Sequence, residues 1–364
     1  MPQVSIAIPC YNNPEDMARL LNSISIQTYD DYEIVISDDS TEEGAAERIR
    51  SLVDAFTRQN ASVPITYVHN SRPLGHVHNW NQAIRLTKGA YIKIMFSDDW
   101  FSCESSLSQY AAMLDAHPEA ILAFSGDTQS YLREGTASAS AATHETDNVS
   151  SKSAANVPDI DPRIADNPVQ DSNRNFHDTQ AQNADSHKIG SSHRDYDRAA
   201  DSEYIAALQK DYRTLFLSNL IGAPSVTIYR RTEPLILFDE RSGFASDVFL
   251  YMALLSQNPT FVSTDKPLVH IGLHERQYTE TFDEKDPRIY EDYRTLYLQY
   301  RLYENPEMQE YFIRRYFVPY HKDETERAVL QLSKTAVQKA KRAERFATAK
   351  SLLHAGLSRF KSEK

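Results

Sequence analysis

The chain has 364 residues, 41% of them hydrophobic, which is enough to bury a sizeable core in one large domain with appendages. Its 39 Lys and Arg against 51 Asp and Glu give a formal net charge of −12, which argues against a general nucleic-acid binder. Two cysteines, Cys10 and Cys103, make no disulfide framework and fit a reducing compartment, and no apolar run approaches the roughly 20 residues of a transmembrane helix.

Val4–Pro9 is a short β-rich apolar run, and it predicts a first strand broken by Cys10-Tyr11-Asn12-Asn13-Pro14. A strand starting this early leaves no room for a signal peptide, so a cytoplasmic location is expected. A helical period follows, with Met17, Leu20, Leu21 and Ile24 on one face. The second strand, from Tyr32 to Ser37, ends in Asp38-Asp39, with Ser40-Thr41 next. A polar helix from Glu42 to Gln59 leads to a third strand over Ile65–His69. The loop Asn70-Ser71-Arg72-Pro73-Leu74-Gly75 precedes a helix reaching about Thr87, and an apolar strand from Tyr91 then ends in Asp98-Asp99. Strands alternating with helices predict a doubly wound, mostly parallel α/β sheet. Ligands of such sheets bind beyond the carboxyl ends of the strands, where both acid pairs and the Arg-bearing loop converge. Burying a carboxylate is costly, so Asp98-Asp99 is expected to face solvent or a metal, or else one Asp caps the next helix.

Between Gly135 and Ala200 there is no Leu, Met or Trp, and the stretch reads as a disordered insertion. Its histidines, His144, His177, His187 and His193, fit no metal-ligand spacing. Order resumes near Asp201, with Ser202 placed to cap a helix carrying Tyr204, Ile205, Leu208 and Tyr212. The small-residue loop Asn219–Ser225 leads to a strand over Val226–Arg230. Ser246 or Asp247 could cap the next helix, where an acid is stabilised by the helix dipole. His270 and His274 are spaced i, i+4, but Pro267 and Gly272 predict a strand running into a loop rather than a helix face. Tyr290, Tyr293, Tyr297 and Tyr300 have the spacing of a packed helical face. From Lys334 to Lys364 nine Lys/Arg stand against two Glu, among Phe346, Leu353, Leu357 and Phe360. Such a basic amphipathic helix suits an anionic membrane surface, or packing on the domain or another subunit.

The first 130 residues carry a resemblance. Val4–Asn12, ISDDST at Ile36–Thr41, the Asn79-x-Asn81 helix leading into TKGAYIKIMFSDD, and FSDDW at Phe96–Trp100 resemble the nucleotide-sugar-binding half of a family 2 glycosyltransferase with the GT-A fold. Weaker matches lie between Asn219 and Thr279. The domain organisation that follows is 1–134 for the donor half, 135–200 for the insertion, 201–282 for the acceptor and catalytic half, and 283–364 for a helical C-terminal region. The resemblance implies a nucleoside-diphosphate-sugar donor, UDP by family habit, and Mg²⁺ or Mn²⁺. It also implies a glycan or lipid-linked acceptor and inversion by single displacement. Carried onto this sequence, Pro9, Tyr11 and Asn12 would line the nucleoside pocket, with Asp39 on base or ribose and Arg72 near base or phosphate. Asp98 would act through ribose or water, Asp99 and His274 at the metal, and Asp247 as the base. The segment reads SDVFLY where many relatives carry Glu-Asp, so only the second acid is present, and Asp239 competes for the role. Two other readings stay open. A sugar nucleotidyltransferase would need a Gly-rich phosphate loop where this chain has Tyr11-Asn12-Asn13-Pro14; a non-catalytic scaffold would have no need of Asp98-Asp99 and Asp247.

Overall fold

Two strands buried along their whole length organise the sheet: β1 (Val4–Cys10) and β2 (Tyr32–Asp38). Strands buried on both faces read as continuous apolar runs, because helices cover each side of a parallel sheet. The computed structural model describes residues 2–132, 195–275, 277–283 and 285–346, and these belong to one compact unit. After β1 come α1 (Pro14–Ser25), β2, α2 (Ala45–Gln59), β3 (Ile65–His69), α3 (His76–Arg85) and β4 (Tyr91–Ile94). Pro14 opens α1, where its missing N–H has no helical partner to lose. Met17, Leu20, Leu21 and Ile24 are all buried, as their period predicts.

The chain continues through β5 (Trp100–Phe101), α4 (Ser106–Ala116), β6 (Leu122–Tyr131), β7 (Tyr196–Arg198) and α5 (Ser202–Lys210). It ends with β8 (Thr227–Arg230), α6 (Ser246–Gln257), β9 (Phe261–Leu273), α7 (Pro287–Gln299) and shorter helical pieces beyond. The strand order is β3-β2-β1-β4-β8-β6-β9-β5, with β7 on β6. β1 to β4 pair in parallel, as does β9 with β6, whereas β8, β7 and β5 run antiparallel to their neighbours. Register along β1–β2 runs from Val4↔Tyr32 to Cys10↔Asp38, so the loops after Cys10 and after Asp38 leave the sheet side by side.

Several expectations shift here. β4 stops at Ile94, so Asp98-Asp99 lies in a turn beyond the strand that leads into β5, not at the strand's last residues. The cap of α5 is Asp201, whose carboxylate accepts from Tyr204 N at 2.7 Å, and Ser202 is already helical. Tyr196–Arg198, counted with the insertion, join the sheet instead as β7. Arg198 on β7 pairs with the buried Asp127 of β6, Nη2 to Oδ2 at 2.6 Å. Residues 135–194, and Leu353, Leu357 and Phe360 of the basic C-terminal stretch, lie outside the described residues. Tyr290, Tyr293 and Tyr297 are buried, with Tyr293 stacked on Tyr316 and Tyr297 on Phe312, so the tyrosine run is a packed face.

Candidate active site

A cleft of about 550 Å³ opens where β1, β2 and β4 end. Its first wall is built by local hydrogen bonding. Asn12 adopts φ +50°, a left-handed conformation that Asn tolerates better than most residues. Its Oδ1 accepts from Thr41 N at 2.7 Å and Glu42 N at 2.9 Å, while its own N–H donates to Ser40 Oγ at 2.9 Å. The loops after β1 and β2 are thereby tied together, with Pro9 and Tyr11 on the cleft. Asp39 is buried, and its carboxylate accepts from Asn70 Nδ2, Leu74 N and Gly75 N at 2.8–3.0 Å. It thus holds the loop after β3. Pro73, Gly75 and His76 of that loop line the cleft, whereas Arg72 is exposed and outside its lining.

The opposite wall carries the second acid pair, and the two acids differ. Asp98 Oδ2 lies 3.1 Å from His274 Nε2, with side-chain exposures of 24% and 13%. Asp99 is buried, its Oδ1 accepting from Gly272 N at 3.1 Å and its carboxylate also hydrogen-bonded by Ser225. Burial, with the charge of Asp98 beside it, pushes the Asp99 carboxyl well above the usual carboxylate range. The turn is packed so tightly on β9 that a Cβ at Gly272 would lie 2.3 Å from the Asp98 carbonyl oxygen. Both acids line the cleft, Asp98 as the more exposed of the two and Asp99 held by these bonds. His270 belongs to β9, stacks on Trp100 at 4.9 Å and meets Ser130 Oγ at 2.9 Å.

Asp98 and His274 are an oxygen and a nitrogen donor meeting in a polar recess, a set that accepts Mg²⁺ or Mn²⁺. Among the described residues no group of three His, Cys, Asp or Glu side chains could hold a metal. Two donors fit a cation that completes its shell with phosphate oxygens and water, rather than a caged resident ion.

Asp247 stands in the first turn of α6 and lines the cleft. Neither it nor Ser246 is the cap residue; that is Ala245, which makes no side-chain cap bond. Instead Asp247 Oδ2 accepts from Asn219 Nδ2 at 2.6 Å, and Oδ1 from Val248 N at 2.8 Å. Burial pushes its carboxyl up to about 6, against the opposing pull of those two bonds. Asp239 is outside the lining. It is held by Arg241 through Nε at 2.9 Å and Nη2 at 2.5 Å, which keeps its carboxyl below the ordinary value.

Some residues of the site escaped the sequence reading. Asp292 on α7 is buried and accepts the N–H groups of Gly243, Phe244 and Ala245 at 2.7–3.1 Å, so it fixes the loop that delivers Asp247. The available signal was an acid between tyrosines on a face predicted to be packed. An aromatic group also flanks the cleft: His76 lies 4.1 Å from Tyr278, and Trp80 5.0 Å from Phe96. Asn79 Nδ2 donates to Cys10 O at 3.2 Å, and Asn81 exchanges two bonds with the Phe238 backbone, which explains the Asn-x-Asn pattern of α3.

A partly parallel sheet with an acid-lined cleft at its carboxyl edge defines a GT-A type α/β domain. The fold agrees with that of Staphylococcus aureus TarS residues 1–349, whose structure was determined in complex with UDP-GlcNAc. The TM-score is 0.51 at 16% identity, over 93% of this chain and 79% of that one. Residues 5–153 match the model of the family described as Glycosyl transferase family 2, so the resemblance holds over that segment. Abequosyltransferase RfbV of Salmonella typhimurium is 36% identical over 121 residues, 33% of this chain and 34% of that protein. The poly(ribitol-phosphate) beta-glucosyltransferase of Bacillus spizizenii is 31% identical over 110 residues, 30% of this chain and 17% of that protein. The chain spans about a third or less of the length of the curated relatives it matches.

Proposed function

We propose that this chain is a glycosyltransferase that moves a sugar from a nucleoside-diphosphate donor to a hydroxyl of a glycan or lipid-linked acceptor, with inversion. The observation that carries this reading is one cleft holding the Asp98–His274 pair and a carboxylate, Asp247, whose proton affinity is raised to about 6. A general base works best when its pKa lies near the operating pH, and burial brings Asp247 close to that range.

Pro9, Tyr11 and Asn12 form the nucleoside side of the cleft, with Asp39 holding the adjacent loop within reach of base and ribose. Asp98 and His274 would hold Mg²⁺ or Mn²⁺ beside the diphosphate. When bound, such a cation supplies positive charge against the charge developing on the leaving group. Asp247 takes the proton of the acceptor hydroxyl as its oxygen bonds to the anomeric carbon. The bond from that carbon to the diphosphate breaks in the same step, and the nucleoside diphosphate leaves. Asn219 and Val248 N–H orient the carboxylate without taking its proton. A UDP-sugar is the favoured donor, supported by the UDP-GlcNAc bound to the S. aureus protein of like fold. The basic stretch 334–364, with Phe346 76% exposed, suits peripheral contact with an anionic membrane carrying a lipid-linked acceptor.

A screen of UDP-, GDP- and dTDP-sugars with Mn²⁺, read as release of nucleoside diphosphate, tests the activity. Turnover of one donor class is expected; no release from any donor, with or without glycan acceptors, would overturn it.

A further inference from the structure

The loop Asn219–Ser225, which reaches Asp247 through Asn219, rests on an arginine of β7. Arg198 stands opposite Asp127 of β6 in the strand register. Its Nε and Nη2 donate to Asp127 Oδ2 at 3.1 and 2.6 Å, and Gln129 donates to the other carboxylate oxygen. Asp127 is 1% exposed, and two bonds to one buried carboxylate fix the guanidinium plane. That plane lies against Gly222, where a Cβ would stand 2.0 Å from Nη2 and 3.1 Å from Cζ. Gly222 also has φ +104°, a conformation that L side chains rarely adopt, so this turn needs glycine for its backbone and for the space.

Gly222 joins this anchor to the base. Its N–H donates to Asn219 Oδ1 and its carbonyl oxygen accepts from Asn219 Nδ2, both at 3.3 Å. Tyr251 Oη donates to the same carbonyl at 3.0 Å. Asn219 Nδ2 then donates to Asp247 Oδ2 at 2.6 Å. The amide that meets the carboxylate is thus oriented by Gly222, and each link from Asp127 to Asp247 is a contact between neighbouring groups. The other titratable groups around Asp247 are Tyr204 on α5, Tyr251 on α6, and Asp292 and Tyr293 on α7. Asp292 opposes the charged form of Asp247, whereas the Asn219 bond favours it.

We propose that Arg198 is a positioning residue for the base: anchored by Asp127, it supports Gly222 so that Asn219 holds the Asp247 carboxylate toward the acceptor hydroxyl. Arg198 lies outside the cleft lining and acts only through that loop. A strand of three residues thereby contributes to the site without facing it. This inference rests on the glycosyltransferase reading only for what Asp247 then does.

The test compares Arg198→Met, Asp127→Asn and the double variant in the full chain. Urea unfolding reads stability, and kcat and donor KM are measured with the UDP-, GDP- or dTDP-sugar that wild type turns over in Mn²⁺. A ¹³C titration reads the Asp247 carboxyl, assigned by its loss in Asp247→Asn. Arg198→Met strands the buried Asp127 carboxylate, whereas the double variant removes that charge and should regain most of the stability. It should not regain turnover, because Gly222 still lacks its support. We expect kcat to fall roughly tenfold, with donor KM within about twofold of wild type. The Asp247 titration should move up by about half a pH unit or more, as a carboxyl does on losing a hydrogen bond to its charged form. Wild-type kcat in a stable double variant would overturn the proposal and leave Arg198 as a stability anchor only. A raised donor KM with kcat unchanged would overturn it as well. Should Arg198→Met fail to fold in both backgrounds, Arg198→Lys keeps a charge opposite Asp127 but not the plane against Gly222. It should lower kcat several-fold at nearly wild-type stability, and unchanged kcat would count against the proposal. If wild type turns over no donor, the glycosyltransferase reading fails and the Asp247 titration decides by itself: an unmoved titration in the double variant, or in Arg198→Lys, refutes the positioning role.

Discussion

Replacing Asp247 with Asn removes a carboxylate while keeping its shape. If Asp247 is the proton acceptor, turnover should fall by about 10²- to 10⁴-fold, the usual contribution of a positioned base. Donor affinity should hardly change, because the base meets the acceptor and not the diphosphate. The pH profile gives a sharper test. With its carboxyl at about 6, Asp247 is about nine-tenths ionised at pH 7 and about one-tenth at pH 5, so kcat/KM should drop roughly tenfold between them. In Asp247→Asn that acid limb should vanish from whatever activity remains. The stability sign runs the other way. A carboxyl that binds its proton more tightly in the folded state stabilises the fold below pH about 4, and that contribution is lost as pH rises through about 6. At pH 7 the Asn variant is spared the burial of a charge. It sets an amide against Asn219 Nδ2, at about 1 kcal/mol, unless that side chain turns over. Urea unfolding at pH 7 should therefore stay within about 1 kcal/mol of wild type. Turnover within a few-fold of wild type in a folded Asp247→Asn protein would refute the base assignment.

Calorimetry should show UDP binding weakened by a chelator and restored by Mn²⁺, and Asp98→Asn or His274→Ala should each suppress that recovery. Equal affinity under both conditions would remove the cation from the mechanism. Gly272→Ala puts a methyl 2.3 Å from the Asp98 carbonyl oxygen, so it should destabilise by about 1–3 kcal/mol in urea and weaken Mn²⁺-dependent UDP binding; wild-type behaviour in both would show that the turn is not clamped there. Asp239→Asn, which breaks an exposed pair with Arg241, should leave the pH profile of kcat/KM unchanged. A loss of the acid limb in that variant would return Asp239 to candidacy as the base.

Much of the donor half was legible in the sequence because its signals are local. A β-rich run before Tyr11, the buried period of α1, and strands ending near Asp38 and Asp98 each follow from a few neighbouring residues. Since a parallel sheet aligns its carboxyl ends, those ends had to share one crevice. The linear order of residues could not say how each acid of a pair is held at that crevice. Asp98 and Asp99 are adjacent and chemically alike, and they part because Gly272, 173 residues away, offers its N–H to one while His274 meets the other. Nor could that order show that Asp39 would hold the loop after β3 through Leu74 and Gly75. Lys93 read as an ordinary strand residue, and only the packing of Ser225, Tyr110 and Phe101 around it buries its amine completely. Asp247 could be named from its neighbours, but its raised proton affinity needed burial, Asn219 and the loop gathered by Asp292. Elements were determined by short-range pattern, whereas charge and accessibility were decided by contacts that only the tertiary fold brings together.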